Sequence, residues 1–154
     1  MLLPDNYRKR MMEFFAKTVC RANPQLIQHR VRIENLMSWC AAIEAASGRG
    51  ERGELLLPWG RFRVRWEVIQ SGVRFSLPGC PNATQWTITV DQHLSGVRLH
   101  CTLNRTKITP DLRSQLEAFV AEWLAGLESG LQGSPIVRVG CEDAVCLSSF
   151  SGMG

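Results

Sequence analysis

The sequence is poor in lysine, with only Lys9, Lys17 and Lys107, and in histidine, with only His29, His93 and His100. It has no apolar run near the ~20 residues that a bilayer span requires. The N-terminus, Met1-Leu2-Leu3-Pro4-Asp5, meets charge before a signal-peptide core could form, so the chain reads as soluble, unprocessed and cytoplasmic. There is no CxxC. The six cysteines, Cys20, Cys40, Cys80, Cys101, Cys141 and Cys146, follow no metal-ligand spacing, and the histidines cluster neither with them nor with one another. All six therefore read as reduced thiols, mostly small core residues, with no metal and no cofactor. Also missing are a GxSxG elbow and a GxxxxGK[ST] phosphate loop. The closest carboxylates, Glu51 with Glu54 and Glu142 with Asp143, read as solvated, and neither His93 nor His100 has an evident partner for general-base work. Together these absences speak against an enzyme.

What is present is an ordinary globular composition, with 45% hydrophobic and 21% charged residues in a chain of 154. It suits a single α+β domain over residues 1–147 followed by a loose tail over 148–154. The charge is unevenly spread. Residues 1–107 hold 16 basic against 8 acidic side chains, whereas residues 108–154 hold 2 against 6. Fifteen of the eighteen basic residues are arginine, which favours planar, bidentate contact with carboxylate or phosphate.

Hydrophobic spacing divides the chain. Asp5 or Asn6 can cap a first helix carrying Tyr7, Met11, Phe14, Phe15, Thr18 and Val19, with Arg8, Lys9 and Arg10 on its first turns. Asn23-Pro24 starts a second helix that runs through Leu26, Ile27, Val31, Ile33, Leu36, Met37, Cys40 and Ile43 to Ser47-Gly48, with a slip in spacing and a bend near Arg32. Residues 1–47 form the helical part. Gly48-Arg49-Gly50-Glu51-Arg52-Gly53 reads as a flexible loop.

From Glu54 the period becomes two. After a short strand at Leu55-Leu56-Leu57, Phe62, Val64, Trp66 and Val68 face one way and Arg61, Arg63, Arg65 and Glu67 the other. A turn at Ser71-Gly72 returns the chain through Val73, Phe75 and Leu77. A second hairpin places Trp86, Ile88 and Val90 opposite Val97, Leu99, Cys101 and Leu103, with a turn near Leu94-Ser95-Gly96. The expectation is an antiparallel sheet of four to six strands. Thr109-Pro110 then caps a long helix whose stripe is Leu112, Leu116, Phe119, Val120, Trp123, Leu124 and Leu127, stopped by Gly130. A last strand is expected at Ile136–Val139, so that residues 54–140 hold the sheet and its covering helix.

The best functional candidate is the strand face of Arg61, Arg63 and Arg65, which period-two geometry spaces by about 7 Å. Arg74 and Arg98 on the return strands extend it. Such a face suits an acidic protein partner or the phosphates of a nucleic acid, or it is a solvated surface on which the arginines pair with Glu67 and helix acids. The surface aromatics and motifs that usually stack bases are absent. All five tryptophans fit core positions, Trp59 least well.

The run Leu55-Leu56-Leu57-Pro58-Trp59-Gly60-Arg61-Phe62-Arg63-Val64-Arg65-Trp66, with Val73-Arg74-Phe75-Ser76-Leu77 after a glycine turn, resembles the opening of the substrate-specificity-switch domain of type III secretion needle-length and flagellar hook-length control proteins. The resemblance covers about residues 54–140. It implies a cytoplasmic accessory factor of a bacterial secretion system that works by binding other proteins. A nucleic-acid-binding domain is the alternative, and a second copy of the chain is a further candidate partner.

Overall fold

The computed structural model describes residues 11–91, 93 and 96–131. An antiparallel sheet of seven strands carries the fold, in the order β1-β7-β6-β5-β4-β3-β2. The strands are β1 (Met12–Val19), β2 (Ala45–Arg49), β3 (Arg52–Leu57), β4 (Gly60–Ile69), β5 (Gly72–Ser76), β6 (Gln85–Asp91) and β7 (Gly96–Leu103). Helix α1 (Pro24–Arg30), a 3-10 turn (Ile33–Asn35) and the short α2 (Leu36–Trp39) lie between β1 and β2, and the long α3 (Pro110–Gly130) follows β7. The architecture is α+β, as the sequence predicts.

The first expected helix is a strand where it is described: Met12–Val19 pairs with β7, Met12 opposite Leu103 and Val19 opposite Gly96. Its expected caps, Tyr7 and the basic residues Arg8, Lys9 and Arg10 lie outside the described residues. The second expected helix ends at Arg30. Val31, Arg32 and Ile33 cannot continue it, because Val31 and Arg32 take extended backbone and turn both Val31 and Ile33 into the core. Asn35 holds this joint, donating from Nδ2 to the Arg30 carbonyl at 2.6 Å while its Oδ1 accepts the Arg32 N–H at 3.0 Å. Of the residues expected to complete the helix, Leu36–Trp39 form α2 and Ala45–Arg49 become β2, so that with β1 the sheet has seven strands rather than the four to six expected. The expected loop Gly48–Gly53 is the end of a hairpin, with Gly48 opposite Gly53 and Arg49 opposite Arg52. Gly50 takes φ +70° in the two-residue turn, a conformation glycine adopts without steric cost.

From β4 through α3 the expected elements are present. The β4–β5 turn falls one residue early, on Gln70-Ser71, since Ile69 pairs with Gly72. The expected strand Ile136–Val139, Cys141, Cys146, Glu142, Asp143 and the tail lie outside the described residues. Thr109 caps α3, its Oγ1 accepting the Leu112 N–H at 3.1 Å. Of the helix stripe, Leu116, Phe119, Val120, Trp123 and Leu127 are buried and Leu112 and Leu124 half-buried.

Aromatic rings fill the space between α3 and the sheet. Trp86 stacks on Phe75 at 5.3 Å and takes Phe119 edge-on at 5.0 Å, while Trp123 leans on Phe75 at 6.1 Å. Trp66, farther along the sheet, is covered by the joint between α1 and α2: its Nε1 donates to the Val31 carbonyl at 2.9 Å and the Arg32 guanidinium lies 4.6 Å above its ring. The inner face of the sheet is thus closed by two lids, and among the described residues no helix covers its outer face.

Candidate interaction surface

Strand alternation sends Arg61, Arg63 and Arg65 of β4 to the outer face, and all three are exposed. Arg61 Nη1 meets Glu54 Oε1 at 3.0 Å, and Arg74 Nη2 meets Glu67 Oε2 at 3.1 Å. Pairs this exposed contribute roughly 0–1 kcal/mol, but they do neutralise their arginines. Arg98 lies elsewhere. It sits on β7 between Lys17 and Thr89 and borders an open groove of about 440 Å³ with Asp91 and His93, in register with Ile69 rather than Arg65, so that three strand spacings and four residues along the strand put it about 20 Å from Arg65. The five predicted arginines therefore do not form one patch.

A different grouping does. Arg65 stands opposite Arg52, and Arg52 opposite Arg49, so one row of three arginines crosses β4, β3 and β2. Each is exposed. Among the described residues, Arg49, Arg52, Arg63 and Arg65 form no ion pair. Like charges directly opposite across a ladder destabilise it. At about 5 Å in water-like dielectric, each juxtaposition costs roughly 0.8 kcal/mol before the side chains splay and salt screens them. The row thus holds uncompensated positive potential, which an external anion would relieve. Composition places Arg49 and Arg52 in a flexible loop, whereas they are the facing ends of β2 and β3. The available signal was the near-palindrome Gly-Arg-Gly-Glu-Arg-Gly, in which a two-residue turn sets arginine against arginine.

The hairpin bearing this row is fixed from beneath. A side chain at Gly53 would strike Ile33 Cγ2 and the Ser47 carbonyl, and the Gly50 N–H donates to Glu34 Oε1 at 3.1 Å. Slight desolvation acts to raise the Glu34 pKa. The backbone N–H groups of Glu34 and Gly50 and the Arg32 guanidinium outweigh it and hold this carboxyl below its usual 4.5. A depressed carboxyl stabilises the fold above its unfolded pKa, and that contribution disappears as pH falls through the folded value. Hydrogen exchange at Gly50, corrected for intrinsic pH dependence, should accordingly lose protection on acidification below the ordinary carboxylate range. Unchanged protection there would remove Glu34 from this role.

At the opposite edge, Phe15 of β1 is 56% exposed and stacks on His100 at 4.4 Å, and His100 Nε2 lies 3.1 Å from Glu13 Oε1. His100 faces outward as the alternation predicts, and Glu13 is the partner that the sequence could not name. The cysteines offer no chemistry to this face. Cys20, Cys40, Cys80 and Cys101 are free and buried. Desolvation pushes Cys20 up to about 11 and Cys40 and Cys101 up to about 12, which keeps those three as unreactive thiols. Among the described residues no group of His, Cys, Asp and Glu is arranged to hold a metal ion, and no helix is long and apolar enough to cross a membrane.

No family model matches the sequence, and no curated protein does. Solved structures share its fold. XoxI from Bacillus cereus superposes with a TM-score of 0.55 at 13% identity, over 80% of this chain and 96% of that one. A conserved protein of unknown function from Enterococcus faecalis gives 0.51 at 10% identity, over 94% and 85%. An HSP90 activator from Plasmodium falciparum gives 0.50 at 12% identity, over 79% and 96%. At these identities the likeness is one of fold alone.

Proposed function

We propose that this chain is a non-enzymatic protein–protein interaction module whose contact surface is the outer sheet face around Arg61, Arg63 and Arg65, with Arg52 and Arg49 beside them. The observation that carries this reading is the uncompensated arginine row on a face that neither α3 nor the α1–α2 joint covers. The fold is also that of an HSP90 activator, a protein that acts on another protein. Arg74, on the central strand β5, and Arg98, two strands farther on β7, then act as flanking contacts. The finer form of this reading is a cytoplasmic accessory factor of a bacterial secretion system, and it rests on the resemblance over about residues 54–140.

The test replaces Arg61, Arg63 and Arg65 together by Gln. These side chains face away from the core, so stability should change little. A specific protein complex captured from the native host by the wild type should be lost or dissociate faster with the variant. Salt-steep binding of the wild type to arbitrary DNA or RNA, with a salt slope about three units smaller in the variant, would replace this function with the nucleic-acid reading.

A further inference from the structure

We propose that the open edge of β2, together with the Arg49–Arg52–Arg65 row, is a docking site for an acidic polypeptide segment that binds extended, as one more strand of the sheet. The proposal rests on the reading of the outer face as a protein-contact surface, and it names the partner's chemistry and pose.

β2 ends the strand order, with no described strand beyond it. Its Ala45, Ser47, Gly48 and Arg49 are exposed. Edge strands are usually protected by lysine, proline or a covering loop. The sequence Ala-Ala-Ser-Gly-Arg of this strand has neither lysine nor proline, and its small side chains leave the backbone open to approach. In a hairpin with a two-residue turn, Arg49 and Arg52 make the first hydrogen-bonded pair. The backbone groups of Ala46 are thereby directed to the free side, where an added strand would find them, while Gly48, at φ +107°, departs from the regular ladder.

Charge sets the chemistry of that strand. The residue placed opposite Arg49 continues the row that runs from Arg65 through Arg52, so a carboxylate there is met by guanidinium groups rather than by a like charge. Alternate residues of an extended segment share a face, so the acidic side chain opposite Arg49 would lie toward the arginine row, whereas one two positions on would lie opposite Ser47, with Glu54 between it and Arg63. A nucleic acid fits less well. Phosphates provide acceptors only, leaving the edge carbonyls without donors, and the exposed aromatic Phe15 lies on β1 at the far edge of the sheet. Pairing β2 with β2 of a second copy would bring two arginine rows together.

The experiment uses fluorescence anisotropy with the full chain and a labelled twelve-residue peptide of alternating Glu and Thr. Two further versions are N-methylated, one on every Glu amide and one on every Thr amide, because only one set of amides faces a strand to which the peptide adds. A helical acidic peptide and a single-stranded oligonucleotide complete the probes. The alternating peptide should bind, and one methylated series should lose about tenfold or more in affinity while the other keeps it. The Arg49→Glu/Arg52→Glu/Arg65→Glu variant should weaken binding by at least about tenfold, while Lys17→Glu on β1 should leave it unchanged. Circular dichroism and the methylated peptides guard against a variant that fails to fold. Equal affinity of the two methylated series, with the helical acidic peptide binding as well, would overturn strand addition while the protein-contact reading stands. Tighter binding of the oligonucleotide than of any peptide would overturn both. A dimer broken by the triple variant would show that the occupant is a second copy, and would likewise overturn the proposal.

Discussion

Trp86→Ala should lower the stability of this protein by about 3–5 kcal/mol, the range for removing a large aromatic from a packed core. Trp86 is fully buried and lies in register between Phe75 and Cys101. It is also the ring against which both Phe75 and Phe119 pack, so its loss unseats the sheet and α3 together. Trp86→Phe separates ring packing from the polar atom. The indole Nε1 of Trp86 is buried without a hydrogen-bond partner among the described residues, and a buried unpaired donor costs roughly 1–3 kcal/mol. Phenylalanine keeps a stacking ring and deletes that donor, so Trp86→Phe should cost no more than about 1.5 kcal/mol. Urea denaturation of the three proteins measures both. A loss below about 1 kcal/mol for alanine would mean that the space between helix and sheet is not closed by these rings.

Gly126→Ala should destabilise by about 1–3 kcal/mol, although in an ordinary helix interior the same change stabilises by roughly 1 kcal/mol. The sign reverses because α3 crosses α2 backbone to backbone at this residue. A Cβ at Gly126 would overlap the Trp39 carbonyl oxygen, with the carbonyl carbon 2.6 Å and the Cα 3.1 Å away. Those are main-chain atoms that no rotamer change can move. Displacing them would loosen Trp39, whose Nε1 donates to the Arg30 carbonyl at 3.3 Å, and with it the joint that covers Trp66. The midpoint of thermal unfolding decides the matter: a rise would show that the two helices stand farther apart than described.

The parts of this fold that were legible in the sequence are those where a single periodicity was available. β4 to β7 alternate cleanly over several residues, and α3 has a threonine cap, a proline in its first turn and a stripe sustained through Leu127. In β1 the apolar pairs Phe14 with Thr18 and Phe15 with Val19 are four apart, a spacing that serves a helical face and, being a multiple of two, one face of a strand equally well. The pairing with β7 decides between them, and that partner lies some eighty residues away. The joint after α1 left a local trace, since Val31 and Ile33 are two apart and both buried, which suits extended chain. The sheet edge left less. Small residues and glycine in Ala45–Gly53 read as linker because they lack side chains to pack, and that same smallness lets the hairpin lie close over Ile33. The arginine row was beyond reach, because it depends on the register of three strands and no single-strand pattern contains it. The arginines along β4 were visible, but not that Glu54 neutralises Arg61 while Arg65 is left among its own kind.

The central claim is that the outer sheet face contacts other proteins, and site-specific photo-crosslinking in the native host tests it most directly. A benzoyl-phenylalanine in place of Arg63 samples the arginine face. The same residue in place of Glu117 samples the exposed side of α3. Adducts to one defined protein from position 63, with none from position 117, are the predicted result. Adducts from position 117 alone, or nucleic acid in place of protein at position 63, would contradict it.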